Sequence, residues 1–182
     1  MLVAITGTPG VGKSSVSDLL KNYSYNILDI FSIAIEKDFV IEEDKKRDSK
    51  ILDINKINKF LKKNYDTKDI IFVDSHLSHM FSCVDYVIIL RCNPKILKKR
   101  LLTKGWIEEK INENIESEIL DIILCETIDK HQKENIFEID TSNKSLKAVV
   151  RCIREIIKND FKPMKKYNIG MIDWSEEILK DF

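Results

Sequence analysis

Glycine and proline are scarce in this chain, five and three in 182 residues. That scarcity excludes a collagen-like or low-complexity architecture. Net charge is absent too: 30 basic side chains balance 30 acidic ones. A protein held to nucleic acid by bulk charge is thereby excluded, and no direct nucleic-acid signal is present. The four cysteines, Cys83, Cys92, Cys125 and Cys152, form no C-x-x-C pair, and His76, His79 and His131 add no metal-ligand spacing. The expected state is reduced, buried thiols in a cytosolic protein. No apolar run approaches the ~18 residues of a membrane span. The first residues lack a charged leader and run straight into a glycine loop, unlike a signal peptide. The expectation is a cytoplasmic protein with no membrane association.

What is present is a globular composition, 43% hydrophobic and 33% charged, long enough for one domain with a substantial core. Short apolar runs alternate with helical patterns. Leu2–Thr6, Asn26–Ile30, Ile70–Val73, Val84–Leu90 and Asn135–Ile139 read as strands. Helices are expected from Lys13, with Val16, Leu19 and Leu20 on one face, weakly over Phe31–Phe39, and after an N-capping Asp53. Pro94 opens another helix, interrupted at Gly105. Ile111, Ile115, Ile119, Ile122 and Ile123 space themselves along one long helix, and Leu146–Ile157 is amphipathic. The charged stretch Ile41–Lys50 is expected to be exposed, and the tail after Phe161 is mixed. The alternation predicts an α/β fold with a mainly parallel sheet.

One motif fixes the chemistry. Gly7–Ser14 reads GTPGVGKS, matching G-x-x-x-x-G-K-[ST] between an apolar strand and a helix, and Ser15 follows. Glycines let backbone N–H groups approach phosphates, and the helix N-terminus adds its positive end. Lys13 is placed to reach the β- and γ-phosphates of ATP, and the Ser14 hydroxyl to ligate Mg²⁺. Asp74 ends a buried strand about sixty residues on, as a Walker-B carboxylate that orients the metal or its water does. His76 is a candidate to position a proton or water. Cations are expected around the transferred group. Arg91 ends a strand on the loop side of a parallel sheet. Arg100 and Lys104 share one helix face, and Lys110 lies beyond the Gly105 break. The Lys162–Lys166 run reads as surface charge.

GTPGVGKSS, IIFVDSH and IILRCNPKILKKRLLTKGWIEEKINENIESEI together resemble the adenylate kinase isoenzyme 6 family. RDSKILD and IGMIDWSEEIL look like its archaeal branch, and the likeness spans nearly the whole chain. The resemblance implies a P-loop NTPase of the nucleoside monophosphate kinase fold: one domain over 1–182, a five-stranded parallel sheet, a monophosphate-binding segment over 28–53 and a short lid at about 100–112. It gives ATP-binding roles to Gly10, Val11, Gly12, Lys13, Ser14, Ser15 and Lys104. Ser14 and Asp74 go to the metal, and Lys13, Asp74, His76, Arg100 and Lys104 to catalysis. The implied reaction is ATP + AMP = 2 ADP, with ATPase activity alongside. Members of the family are also implicated in small-subunit ribosome assembly and rRNA processing, which implies a ribosomal-protein partner. A P-loop kinase for a non-nucleotide substrate is a further alternative.

Two positions depart from the family pattern. The lid arginine before the glycine is Lys104 here, which keeps the charge but loses the bidentate fork. The acceptor-site arginine of typical adenylate kinases aligns with Ile35, leaving Lys37 or Arg47 as substitutes.

Overall fold

The computed structural model describes residues 1–44, 49–65 and 68–178. Its centre is β1 (Leu2–Thr6), every residue of which is buried. The chain continues through α1 (Lys13–Lys21), β2 (Asn26–Asp29), α2 (Ile30–Glu36), β3 (Val40–Asp44), β4 (Ser49–Leu52) and α3 (Ile54–Asn64). Then come β5 (Ile71–Asp74), β6 (Tyr86–Arg91), α4 (Pro94–Thr103), α5 (Glu108–Ile119), α6 (Ile122–Ile128), β7 (Ile136–Asp140), α7 (Leu146–Lys158) and α8 (Ser175–Ile178).

Five strands form one parallel sheet in the order β2-β5-β1-β6-β7. Successive side chains of a strand point to opposite faces, so β1 feeds two cores. Val3 and Ile5 pack with Val16 and Leu20 of α1, Leu97 and Leu101 of α4, and Val149 and Ile153 of α7. Leu2 and Ala4 pack with Ile30 and Ala34 of α2, Ile57 and Leu61 of α3, and Leu124 of α6. A sheet buried on both faces explains why its strands read as continuous apolar runs. All five strands end at one edge, and the strand order reverses around β1, where such folds carry their sites.

The five expected strands are those of this sheet, within a residue or two at their ends. Asp53 caps α3, its carboxylate accepting from Lys56 N at 3.0 Å. Pro94 opens α4 behind Asn93, whose side chain accepts from Lys95 N at 3.0 Å.

Two expectations need correction, and a third gains structure. Of the stretch expected to be exposed, Ile41, Glu42 and Glu43 are so, residues 45–48 lie outside the described residues, and the flanks pair as an antiparallel hairpin, β3 with β4, in which Glu43 faces Lys50 and pairs with it at 2.9 Å. Cross-strand backbone bonds order it, with Glu42 and Glu43 exposed and Lys50 half-buried. The long helix over Ile111–Ile123 is two helices, because Asp121 adopts a left-handed φ of 55° between α5 and α6. The thiols are all free, but only Cys92 is buried; Cys83 and Cys152 are half-buried and Cys125 is exposed. Among the described residues no helix is long and apolar enough to cross a membrane.

Candidate active site

The loop between β1 and α1 folds as its glycines allow. Gly7 has φ 139°, and a Cβ there would lie 2.3 Å from the Leu90 carbonyl oxygen. Gly12 has φ 111°, and a Cβ there would meet nothing within 4 Å. The first position needs glycine for close packing on β6. The second needs it for conformation, and beside it lies open space at the start of α1. Val11 contributes only backbone to this surface. Its side chain is buried, and its carbonyl accepts from Thr141 Oγ1 at 2.9 Å and from Arg100 Nη1 at 3.2 Å.

Lys13 folds back over the loop. Its ammonium donates to Gly7 O at 2.5 Å and Thr8 O at 3.2 Å. Desolvation lowers its pKa to about 8, against the attraction of Asp74 and Glu118. A half-buried charge that donates to two carbonyls and borders both cavities is placed to move onto an anion. Asp74 sits at the end of β5, half-buried. Burial raises its carboxyl pKa, while the Ser17 hydroxyl and Lys13 oppose that rise. His76 is exposed on the cavity wall, and desolvation by the protein around it is the largest cause that lowers its pKa, to about 4, with Lys13 and His79 adding to it. His76 is therefore neutral at physiological pH.

Two cavities meet over the loop. The smaller, about 240 Å³, is lined by the loop residues Pro9, Gly10, Gly12, Lys13, Ser14 and Ser15, but not Val11, together with His76, Lys104 and Trp106. The larger, about 640 Å³, runs from Lys13, Ser14 and Asp74 across to Asp29 and Phe31, reaching Lys50 and Leu52 of the hairpin. Pro9, Lys13, Ser14, His76 and Trp106 line both. The predicted residues Gly10, Gly12, Lys13, Ser14, Ser15, Asp74, His76 and Lys104 are thus brought together. A third cavity, about 630 Å³, opens at the opposite edge of the sheet by Met1, Lys62, Cys83 and Asp85, away from any glycine loop.

The arginines do not join them. Arg100 is half-buried and lines neither cavity; besides Val11 O it donates to Thr141 Oγ1 at 3.2 Å, Thr141 O at 2.8 Å and Ser142 O at 3.3 Å. It ties the back of the loop to the turn after β7. Arg91 is 2% exposed, and its guanidinium donates to Glu118 at 2.8 Å, Glu138 at 2.5 Å and Asp121. The expectation that Arg91 offers charge to a phosphate is corrected: three carboxylates already surround it. Lys37 pairs with its neighbour Glu36 at 2.7 Å and lies outside both cavities, as does exposed Ile35. Arg47 lies outside the described residues.

Sequence reasoning missed Trp106 and Phe31. Trp106 is half-buried between the two cavities, with the Lys110 ammonium 4.5 Å from its ring centroid. Phe31 is 47% exposed and faces the larger cavity. A lone aromatic beside a glycine was the available signal. His79 is buried between Thr6 Oγ1 at 3.0 Å and Glu126 at 2.9 Å.

The donor set around Ser14 and Asp74 suits a hard, well-hydrated cation. Ser14 and Asp74, with Asp18, Asp29 and Ser75 beside them, line a cavity open to water and phosphate, and no group of three or more His, Cys, Asp or Glu among the described residues could hold a metal ion unaided. Mg²⁺ is commonly held this way, by few protein ligands plus substrate phosphates.

Comparison with known proteins identifies the family and the fold. The family model described as "AAA domain" matches residues 3–121. The protein named "Putative adenylate kinase" of Methanocaldococcus jannaschii is 39% identical over 180 residues, 98% of this chain and 96% of that one. Its namesake from Archaeoglobus fulgidus is 40% identical over 179 residues, covering 98% and 94%. The chain belongs to the family of these archaeal proteins. The fold is also that of solved P-loop kinases. Shikimate kinase from Bacteroides thetaiotaomicron superposes with a TM-score of 0.58 at 13% identity, over 87% of this chain and 98% of the other. Deoxyadenosine kinase from M. mycoides, solved with bound dATP, gives 0.52 at 20% identity, over 87% and 99%.

Proposed function

We propose that the chain is a nucleoside monophosphate kinase that transfers the γ-phosphoryl group of ATP to AMP or another nucleoside monophosphate. The observation that carries this reading is the pair of cavities sharing Lys13, Ser14, His76 and Trp106. A triphosphate on the glycine loop and an acceptor in the larger cavity would meet at those residues. The family names of the archaeal relatives support the same reaction class.

In this mechanism the loop amides and Lys13 hold the β- and γ-phosphates. Ser14 and Asp74 would hold Mg²⁺, which would supply electrostatic stabilisation to the transferring group. An acceptor phosphate oxygen bonds to the γ-phosphorus as the bond to the β,γ-bridging oxygen breaks, giving ADP and a nucleoside diphosphate, two ADP when the acceptor is AMP. Phe31 and Trp106 offer aromatic faces to a base, and Lys50 and Lys110 line the acceptor side. The segment over 28–53 serves the monophosphate, and residues 100–112 act as a lid whose closure excludes water. Lys104 supplies the lid charge, and Arg100 acts by bracing the loop.

A specific observation favours a second reading, an ATPase with incidental transfer. Among the described residues the acceptor cavity is lined by lysines and no arginine, so it lacks a bidentate grip on a phosphate. The likeness to the isoenzyme 6 branch links such an activity to small-subunit ribosome assembly and a ribosomal-protein partner. ATP turnover with and without AMP separates the two. About two ADP per ATP consumed, with little free phosphate, is expected for the kinase. Free phosphate rising with ADP and indifferent to AMP would establish the ATPase instead.

A further inference from the structure

One buried cluster beside the loop takes no part in the mechanism above. Glu118, near the C-terminal end of α5, is 2% exposed and carries four donors on its carboxylate. Its Oε2 accepts from the hydroxyl of Thr8, a loop residue, at 2.5 Å. Its Oε1 accepts from Arg91 Nε at 2.8 Å, from Cys92 N at 3.1 Å and from the indole N–H of Trp174 at 3.2 Å. Trp174 belongs to the C-terminal strap that follows α7. The strap is fastened to the same cluster a second time, where Gly170 N donates to Glu138 Oε2 at 2.7 Å and Glu138 in turn holds Arg91.

The far end of this chain of bonds reaches Lys13. Thr8 gives its hydroxyl to Glu118 and its carbonyl to the Lys13 ammonium. When Lys13 moves onto a phosphate it releases the Thr8 carbonyl, and the peptide that carries the Thr8 hydroxyl is free to readjust. A buried carboxylate cannot leave its donors unmatched without cost, so a change at Thr8 passes to the other three.

We infer that Trp174 and Glu118 are positioning residues for the nucleotide site: the strap holds Glu118, and Glu118 holds the glycine loop through Thr8. Nucleotide binding and strap docking are then coupled, each strengthening or weakening the other by the same factor. The inference rests on the reading that the loop binds nucleotide phosphates. Trp174 lines neither nucleotide cavity, and its hydrogen-bonded route to the loop runs through Glu118 and Thr8.

The chain has two tryptophans, which makes the coupling readable. In a Trp106→Phe background Trp174 is the sole indole emitter. ADP is titrated while calorimetry reports binding independently. The expected result is a saturable change in Trp174 emission that follows the calorimetric curve. Adding Thr8→Val, which keeps shape and removes the hydroxyl, is expected to abolish that change and weaken ADP binding about three- to tenfold. Emission that stays flat at saturating ADP, or an unchanged response in the Thr8→Val protein, overturns the coupling. Should Thr8→Val fail to fold, Trp174→Phe in the otherwise native chain decides. About threefold weaker ADP binding is expected, and unaltered affinity overturns the inference. Failure of the native chain to bind ADP at all would bring down the nucleotide reading as well, whereas binding with silent emission removes the coupling alone.

Discussion

Strands β5 and β6 flank β1 on either side, and each ends in a charged residue beside the same loop. Asp74, at the end of β5, borders an open cavity. Arg91, at the end of β6, is sealed by Glu118, Glu138 and Asp121. Topology alone makes the two positions equivalent candidates for chemistry. Their partners make them different: a charge with room beside it can meet a ligand, and a charge enclosed by three counter-charges holds the fold.

Substitutions on the two sides should therefore fail in opposite ways. Lys13→Ala, on the open side, is expected to lower kcat roughly 10²–10³-fold or more, because it removes a cation aimed at the transferring phosphoryl group. Its urea midpoint should not fall, since a desolvated charge leaves with it. Arg91→Ala, on the sealed side, should show first in stability. Stripping buried Glu118 and Glu138 of their counter-charge is expected to cost about 3–5 kcal/mol in urea unfolding. An Arg91→Ala protein as stable as the parent would dissolve the contrast.

A pH series sharpens it by a smaller factor. Free Lys13 titrates at about 8 in the fold, against 10.5 for an unperturbed lysine. A bound phosphate favours the charged form, so above pH 8 binding must take up a proton. ADP affinity is then expected to fall by up to tenfold per pH unit as pH rises past 8, measured by calorimetry. Stability runs the other way. The folded pKa lies below the unfolded one, so the unfolded chain binds more protons between about 8 and 10.5. The Lys13 contribution to stability therefore rises with pH across that window. In a Lys13→Met protein both slopes attributable to this residue should vanish.

The open side was legible in the sequence because its signals are local. Gly7–Ser15 is contiguous, Asp74 and His76 sit at the end of one apolar run, and Asp53 and Pro94 announce helix starts. The sealed side was not, because Arg91 meets its partners 27, 30 and 47 residues away. Nothing at a strand end distinguishes a cation that will face a phosphate from one that will face buried carboxylates. Asp121 hid for a related reason. The apolar spacing runs on past it, while its left-handed backbone accompanies a tertiary bond to Arg91. The hairpin was missed because a charged, solvent-facing ribbon carries no apolar alternation, and Trp106 because a single aromatic has no period.

The smallest expected effect on transfer concerns His76, and it separates the two activities. With its pKa near 4 the imidazole is neutral across the physiological range, so it contributes no charge to the site and is a weak base. An acceptor phosphate arrives already ionised at pH 7 and needs no base. Water does need a group to orient it and take its proton. His76→Gln should therefore lower transfer to AMP by less than about tenfold, yet reduce hydrolysis in the absence of AMP by a larger factor, within the roughly 10²-fold range of a positioned proton acceptor. The measurement is ADP formed with AMP against free phosphate formed without it, at pH 6 and pH 8. Neither rate should show a step from this residue near 6.5, since its titration lies well below both points. Equal losses in the two activities would place His76 on a step common to both, such as holding the γ-phosphate, and the neutral imidazole would then act as a hydrogen-bond donor to the nucleotide.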